Sequence, residues 1–470
     1  MLNVLSFVGI LGLCLVAWLG SENRRTIPWK VIIWGIGLQL VIGLFVFRVP
    51  VTRDLVVVVN DFLNAIIDAS EAGARFLFGS LFVPNPADTP GPVLAGRWIA
   101  RAVTPPYVAV PGDRLGANNL NFGFIFAFRS LPQIIFFAAL VSLLYNLHII
   151  QPIVKLFARL FRWAMNISGA ESLAGAANIF VGIESAIAIK PFLADMTRSE
   201  LCAILASCFG SIASTVLALY AGFLRPTFPS ITGHLVSASV LTIPACFVLA
   251  KILVPEQDEP KTLGIVPEVE TTPEERQSPM DSLVVGALDG VKMAVGIAAV
   301  IIAVLGLIAL LNLLFANLSS LANSSLPVLQ WIGKIFAIVT LQNILGFLFL
   351  PFTFLTGVSL DAQELWQASV IIGRRFLETA IPPYITLAGL AAKGEINDRT
   401  MLIVSYVLCG FAHLPSVGIF VGGLSGLVPS RRKDISEIGW KALWAGTLAT
   451  LMTGCIAGLF YYDGMPILSQ

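Results

Sequence analysis

The sequence predicts an all-α polytopic membrane protein of about eight transmembrane helices, with two opposed re-entrant hairpins and an inverted repeat. Three observations carry that prediction. Of its 470 residues, 57% are hydrophobic and only 12% charged, with a mean hydropathy of +0.86, whereas roughly a quarter of an ordinary soluble domain is charged. Apolar runs long enough to cross about 30 Å of hydrocarbon, which takes about 20 helical residues, recur along the whole chain. Its later part also echoes its earlier part.

In chain order the runs fall at about 2–20, 30–48, 124–147, 199–224, 231–254, 286–315, 401–428 and 437–462. No Lys or Arg precedes the first run, and it leads straight into the second, so it reads as a helix and not as a signal peptide. Three further apolar pieces, near 167–193, 332–355 and 364–392, are interrupted by Gly, Pro or charge and are expected to be re-entrant or interfacial. The Pro- and Gly-rich stretch 85–121 reads as a long external loop, and the acidic stretch from Glu256 to Pro279 as an internal linker. The expected organisation is N-terminal scaffold helices over 1–150, a first repeat over 151–254, a cytoplasmic linker over 255–285, a scaffold helix over 286–330 and a second, inverted repeat over 331–470.

Lys and Arg in short loops set orientation. Arg24, Arg25 and Lys30 mark one loop, Lys155, Arg159 and Arg162 a second, and Arg431, Arg432 and Lys433 a third. Eight spans place all three on the cytoplasmic side if both termini lie outside. The six cysteines (Cys14, Cys202, Cys208, Cys246, Cys409, Cys455) all sit in apolar runs without metal-ligand spacing and read as small core residues. With only His148, His234 and His413 and no nucleophile or metal cluster, nothing points to an enzyme. A net charge of +1 gives no reason to expect a nucleic-acid partner.

The repeat shows where "MTRSELCAILASCFGSIASTVLALYAGF", Met196 to Phe223, parallels "NDRTMLIVSYVLCGFAHLPSVGIFVGG", Asn397 to Gly423. Both open on an Arg-containing polar turn, reach Cys and Gly in mid-run, and then break into Ser, Pro or Gly. Each copy is followed by another span; counted with it, three spans precede the first unit and one separates the two, so the second copy enters from the opposite side. Such repeats bring broken helices and hairpins together near the bilayer midplane, where solute and coupling ion bind.

Ionisable groups in apolar segments usually face a cavity or a partner. Glu184 stands two residues after Gly182, and Glu378 five after Gly373, each at an expected hairpin tip. Either could bind hydroxyls or a cation, or carry a proton; for Glu378 the bland alternative is pairing with Arg374 four residues earlier on the same helix face. His413 lies beside the break at Pro415, with Ser416 on the same segment, and "GSIAST", Gly210 to Thr215, is the equivalent polar break of the first copy. An unwound turn there would offer carbonyl oxygens, which suit a hard cation.

Several of these strings resemble the concentrative nucleoside transporters: "SGAESLAGAANIFVG" (Ser168 to Gly182), "MTRSEL" (Met196 to Leu201), "CGFA" (Cys409 to Ala412), "PSRRKD" (Pro429 to Asp434) and "AGTLATL" (Ala445 to Leu451). The resemblance implies a homotrimer in the lipid bilayer of the plasma membrane, the inner membrane of a bacterium. It also implies inward symport of nucleosides with sodium by alternating access. Proton-coupled symport of a nucleoside or another polar nucleoside-like solute is the alternative, and a non-transporting gate protein a more distant one. The family's sodium ligands correspond to Asn178, Val181, Ser211 and Ile212.

The substrate site departs from the family. The first tip reads Gly182-Ile183-Glu184-Ser185 in place of Gly-Gln-Ser/Thr-Glu. Aligned on Gly373 and Tyr384, the second tip has Thr379-Ala380 in place of Asn-Glu, with Glu378 just before. The later broken helix has His413-Leu414-Pro415-Ser416 in place of Asn-Phe-Ser-Ser. The resemblance thus places Ile183, Glu184, Ser185, Val216, Glu378, Thr379, His413 and Ser416 around the solute.

Overall fold

The computed structural model describes residues 1–80, 82–83, 125–265 and 278–462, without the side chains of 50–53, 55, 183–184, 187–188 and 214–215. The expected external loop 85–121 and most of the expected linker lie outside the described residues. Every named element among those described is helical.

In chain order, α1 (Leu2–Leu19) and α2 (Trp29–Phe47) are the first two spans. They are followed by α3 (Pro50–Phe78), a long helix the hydropathy pattern does not announce. Its polar residues recur along one face and are used. Asn60 Oδ1 accepts from Gly233 N at 3.1 Å, Asn64 Oδ1 from Thr232 Oγ1 at 2.7 Å, Asp68 Oδ1 from Arg225 Nη1 at 2.6 Å and Glu71 Oε1 from Arg129 Nη2 at 2.6 Å. Helix α3 therefore fastens later elements together through side chains spaced four and three residues apart on one face.

Next come α4 (Phe126–Asn146), a span, and α5 (Ile150–Met165), which carries Lys155, Arg159 and Arg162 on an amphipathic helix where the sequence suggested only a loop. The first hairpin is α6 (Gly169–Ala177), a short tip, and a tight helical coil over Ile183–Asp195. Ser168 caps α6 by accepting from Glu171 N at 3.2 Å. The predicted span at 199–224 is α7 (Arg198–Gly210) plus α8 (Ser214–Leu224), broken between. Then follow the spans α9 (Ile231–Leu253) and α10 (Pro279–Ser320). α11 (Pro327–Ile338) and α12 (Leu341–Leu355) are bent by 57° at their junction, in keeping with an interrupted segment. The second hairpin is α13 (Ala362–Glu378) and α14 (Ile381–Ala392), and the second broken span is α15 (Asp398–Leu408) plus α16 (Leu414–Leu427). Helix α17 (Arg432–Phe460) closes the fold.

Six helices among the described residues, α1, α2, α4, α9, α10 and α17, can cross a membrane unbroken. The broken pairs α7–α8 and α15–α16 lie where the sequence predicts the other two of its eight spans. The centre is built from α7, α9, α15 and the part of α17 from Ala442 to Gly458, whose residues are almost all buried, while α10 buries only five of its 42 residues. Small residues set that centre and its scaffold, as expected where lipid competes equally for apolar surface. A Cβ on Gly286 or Gly290 would come 2.6 Å from Ser142 Cβ or 2.7 Å from Ile135 Cα, so α10 lies directly on α4.

The inversion can be read from α1 alone. Arg198, opening α7, pairs with Glu22 just past the C-terminal end of α1, at 3.0 Å, and with Glu437 near the start of α17, at 3.2 Å. Arg399, its counterpart opening α15, donates to Asn3 Oδ1 and Ser6 Oγ at the other end of α1, at 2.8 and 3.1 Å, and lies over the Tyr461 ring beyond the end of α17. α1 and α17 are spans, so the two repeats enter the membrane from opposite faces.

Candidate functional site

Each repeat delivers a hairpin tip to a helix break. In the first, α7 stops at Gly210 and α8 resumes at Ser214; in the second, α15 stops at Leu408 and α16 resumes at Leu414, with Pro415 in its first turn, where its missing N–H costs nothing. The two breaks meet. Gly410 has φ +150°, and a Cβ there would lie 2.5 Å from the carbonyl oxygen of Gly210. Only glycine allows that crossing.

Asn178 is the hub of the first tip. It ends α6 and is 1% exposed. Its backbone carbonyl accepts from Ser211 Oγ at 2.5 Å, which ties the tip to the break of α7. One end of its amide lies 2.6 Å from the Gly182 carbonyl oxygen, 3.2 Å from that of Val181 and 3.0 Å from Ser185 Oγ; the other end is 2.7 Å from Ser207 Oγ. With nitrogen facing the tip, the amide donates to both carbonyls. With oxygen facing it, carbonyl, amide and hydroxyl oxygens crowd together, an arrangement that a cation relieves. Asn178, Val181 and Ser211 offer oxygen donors of the kind that suits a hard monovalent ion, with the Cys208 thiol 3.4 Å from the Asn178 amide; the carbonyl of Ile212, next in the chain to Ser211, accepts from Ser239 Oγ at 3.5 Å.

Ser185 is 1% exposed and Val216, in the first turn of α8, is 3% exposed. The backbone of Ile183 and Glu184 lies in the coil after the tip, while their side chains lie outside the described set.

At the second tip Glu378 is 2% exposed and engaged by Arg374, whose Nε donates to both carboxylate oxygens at 2.9 and 3.0 Å and whose Nη2 lies 2.8 Å from Oε2. Arg374 also donates to Thr386 Oγ1 on the other arm at 3.1 Å, so the pair holds the hairpin closed. Thr379, between the arms, has φ +74° and ψ 176°. A β-branched residue in that region is strained. His413 and Ser416 are brought together on the second break, with Ser416 Oγ 2.8 Å from Nδ1, and both are buried. The structure thus gathers Asn178, Val181, Ser185 and Ser211 at one tip, with Ile212 next to Ser211 in the chain, and Glu378 and Thr379 at the other.

Three features escaped the sequence reading. Ser207, one helical turn before Ser211, holds the far end of the Asn178 amide. Tyr220 of α8 stacks on Tyr384 of α14 at 4.6 Å, joining the two repeats, and Tyr384 Oη donates to the Ser405 carbonyl at 2.8 Å. Arg375 is wholly buried beside the second break. Its signal was its place in an apolar hairpin, masked by the neighbouring Arg374 that explained the local charge.

Comparison with known proteins agrees over nearly the whole chain. Residues 8–81 match the family described as Na+ dependent nucleoside transporter N-terminus, 234–458 its C-terminus, and 127–227 a nucleoside recognition module. An uncharacterized transporter of Haemophilus influenzae is 31% identical over 97% of both chains, and the uncharacterized transporter YutK of Bacillus subtilis is 32% identical over 98% of this chain and 100% of its own. The sodium/nucleoside cotransporter 1 of Rattus norvegicus is 30% identical over 98% of this chain, which spans 64% of the rat protein. The structure of CNTnw in an inward-facing substrate-bound state has 30% identity, covers 98% of each chain and gives a TM-score of 0.80; a variant of CNTnw in an outward-facing state gives 0.79. These relatives and structures are transporters and not enzymes. With both halves matched and the fold shared from end to end, this multi-pass membrane protein belongs to the Na+-dependent nucleoside transporter family.

Proposed function

We propose that this protein is a symporter that carries a nucleoside into the cell together with sodium, by alternating access across the two opposed hairpins. The convergence of Asn178, Val181 and Ser211 where the first tip meets the first break supports this reading above all. Sodium would be held there by Asn178 Oδ1, the Val181 and Ile212 carbonyls and Ser211 Oγ, and when bound it supplies the charge that draws these acceptors together. Asn178 and Ser211 belong to different elements, so closing the ion site also seats the hairpin on the break. The solute then lies between Ile183, Glu184, Ser185 and Val216 on one side and Glu378, Thr379, His413 and Ser416 on the other.

The solute contacts that differ from the family's pattern make the nucleoside itself the property to measure. The rest of the reading is a homotrimer in the bacterial inner membrane, with both termini outside and the domain boundaries set out above. The deciding experiment is uptake of labelled purine and pyrimidine nucleosides into proteoliposomes with and without an inward sodium gradient, for wild type and Glu184→Gln. Sodium-driven accumulation, abolished in the variant, supports the reading. Accumulation that follows a proton gradient and ignores sodium would move the coupling to Glu184 or His413. No uptake of any nucleoside by folded protein would overturn the substrate class.

A further inference from the structure

Arg375 is the bulkiest of the fully buried side chains, and its charge has no acidic partner among the described residues. It rises from α13 one turn before the tip. Its Nη1 donates to the Val407 carbonyl and, at 2.9 Å, to Thr450 Oγ1; Nε and Nη2 have no hydrogen-bond partner among the described residues. The nearest acid in sequence, Glu378, is taken up by Arg374. A guanidinium out of water is unfavourable unless something negative faces it.

What faces it is the C-terminal end of a helix. α15 stops at Leu408, so the Val407 carbonyl loses its intrahelical donor and joins the negative end of the helix dipole. Arg375 delivers a cation to the broken end of α15, where the second break crosses the first.

The first repeat shows what stands at the corresponding place. Aligning Met196 with Asn397 maps Asn178 onto Thr379, Ser207 onto Leu408, Ser211 onto Ala412 and Ile212 onto His413. At the first break Ser207 and Ser211 carry hydroxyls, and a hairpin residue, Asn178, meets α7 at Ser207 and Cys208. Around the second break the two hydroxyls are gone, and a hairpin residue, Arg375, meets α15 at Val407, one position before the equivalent of Ser207. At these aligned positions the first break keeps two hydroxyls, and the second has neither and has gained a charge.

We propose that Arg375 is a built-in cation, its guanidinium standing at the second break where the pseudo-symmetry would otherwise call for a free ion. The inference rests on reading the Asn178 cluster as the coupling-ion site. One free cation per cycle then serves a fold with two related breaks, and the hairpin carries its own charge for the other.

The test is sodium-dependent uptake into proteoliposomes by wild type, Arg375→Lys, Arg375→Met and Arg375→Ala, each checked for monodispersity and melting temperature. Arg375→Lys keeps the charge and is expected to retain uptake within about threefold, whereas Arg375→Met loses about tenfold or more. Arg375→Ala opens space, and guanidinium at about 10 mM, well below denaturing levels, or raised sodium restores part of its uptake. Its dependence on sodium becomes steeper than that of the wild type. A purely structural role would not produce cation rescue. Wild-type uptake and sodium dependence in Arg375→Met would overturn the inference, as would a folded Arg375→Ala that no added cation improves. If Arg375→Ala is unstable, a melting temperature raised by guanidinium in the variant and not in the wild type supports the inference, and no rise overturns it. Absence of sodium dependence in the wild type itself is a separate result, against the Asn178 cluster, and guanidinium rescue still reports on Arg375.

Discussion

Asn178 joins tip, break and helix through one side chain and one carbonyl, so its loss should be felt in coupling more than in folding. Asn178→Ala is expected to weaken the dependence of uptake on sodium by about tenfold or more, the range typical of removing a ligand or its support, as read from the sodium concentration giving half-maximal rate. Glu378 poses a different question, because its carboxylate is already held by Arg374. If the pair only closes the hairpin, Glu378→Gln and Arg374→Gln each lower stability by about 1–3 kcal/mol and the double variant costs less than their sum. If the carboxylate also meets solute, the double variant recovers stability and not uptake. Thr379 gives the opposite sign. Its backbone strain is worth about 1–3 kcal/mol, which Thr379→Gly relieves at an entropic cost of about 0.5–1 kcal/mol. The variant should melt higher than wild type, and slower uptake at that higher stability would show that the strain serves the transport cycle.

The elements differ in how far their chemistry could be seen from the chain. Spans such as α1, α9 and α10 were legible because membrane helices are apolar all round. The breaks were legible because Gly210, Gly410 and Pro415 interrupt apolar runs. Helix α3 was not, because Asn60, Asn64, Asp68 and Glu71 lower its mean hydropathy while serving partners distant in sequence. Arg375 was hidden likewise: its partners, Val407 and Thr450, exist only once α15 and α17 have packed. The element roots can be tested through Arg198, which clamps α7 to Glu22 and Glu437. Burial pushes the Glu22 carboxyl up, but hydrogen bonds from Arg198 and Lys441 outweigh it and hold the group below its ordinary 4.5. With the folded value below the unfolded one, the clamp is complete above about pH 4.5 and is lost as pH falls below that. Arg198→Ala should cost about 1 kcal/mol or less at neutral pH, since the pairs are partly solvated. The gap in melting temperature from wild type should shrink on acidification.

At the scale of the whole molecule, the inverted repeat predicts sidedness. Lys261 pairs with Asp195, at the foot of the first hairpin, on the face where Arg198 meets Glu22, and its side chain is 67% exposed. Lys393 lies at the foot of the second hairpin, shortly before α15, where Arg399 meets Asn3, and is 70% exposed. Since α1 separates these two faces, a cysteine at either place must react from one side only, and from opposite sides. The native cysteines help, because Cys14 is partly covered and the other five are buried. In right-side-out vesicles, a membrane-impermeant maleimide should label Lys393→Cys at once and Lys261→Cys only after permeabilisation, given both termini outside. The reverse order would keep the inversion and turn the whole protein over in the membrane. Labelling of both from one side would break the inversion itself, and with it the argument that two hairpins approach a shared centre from opposite faces.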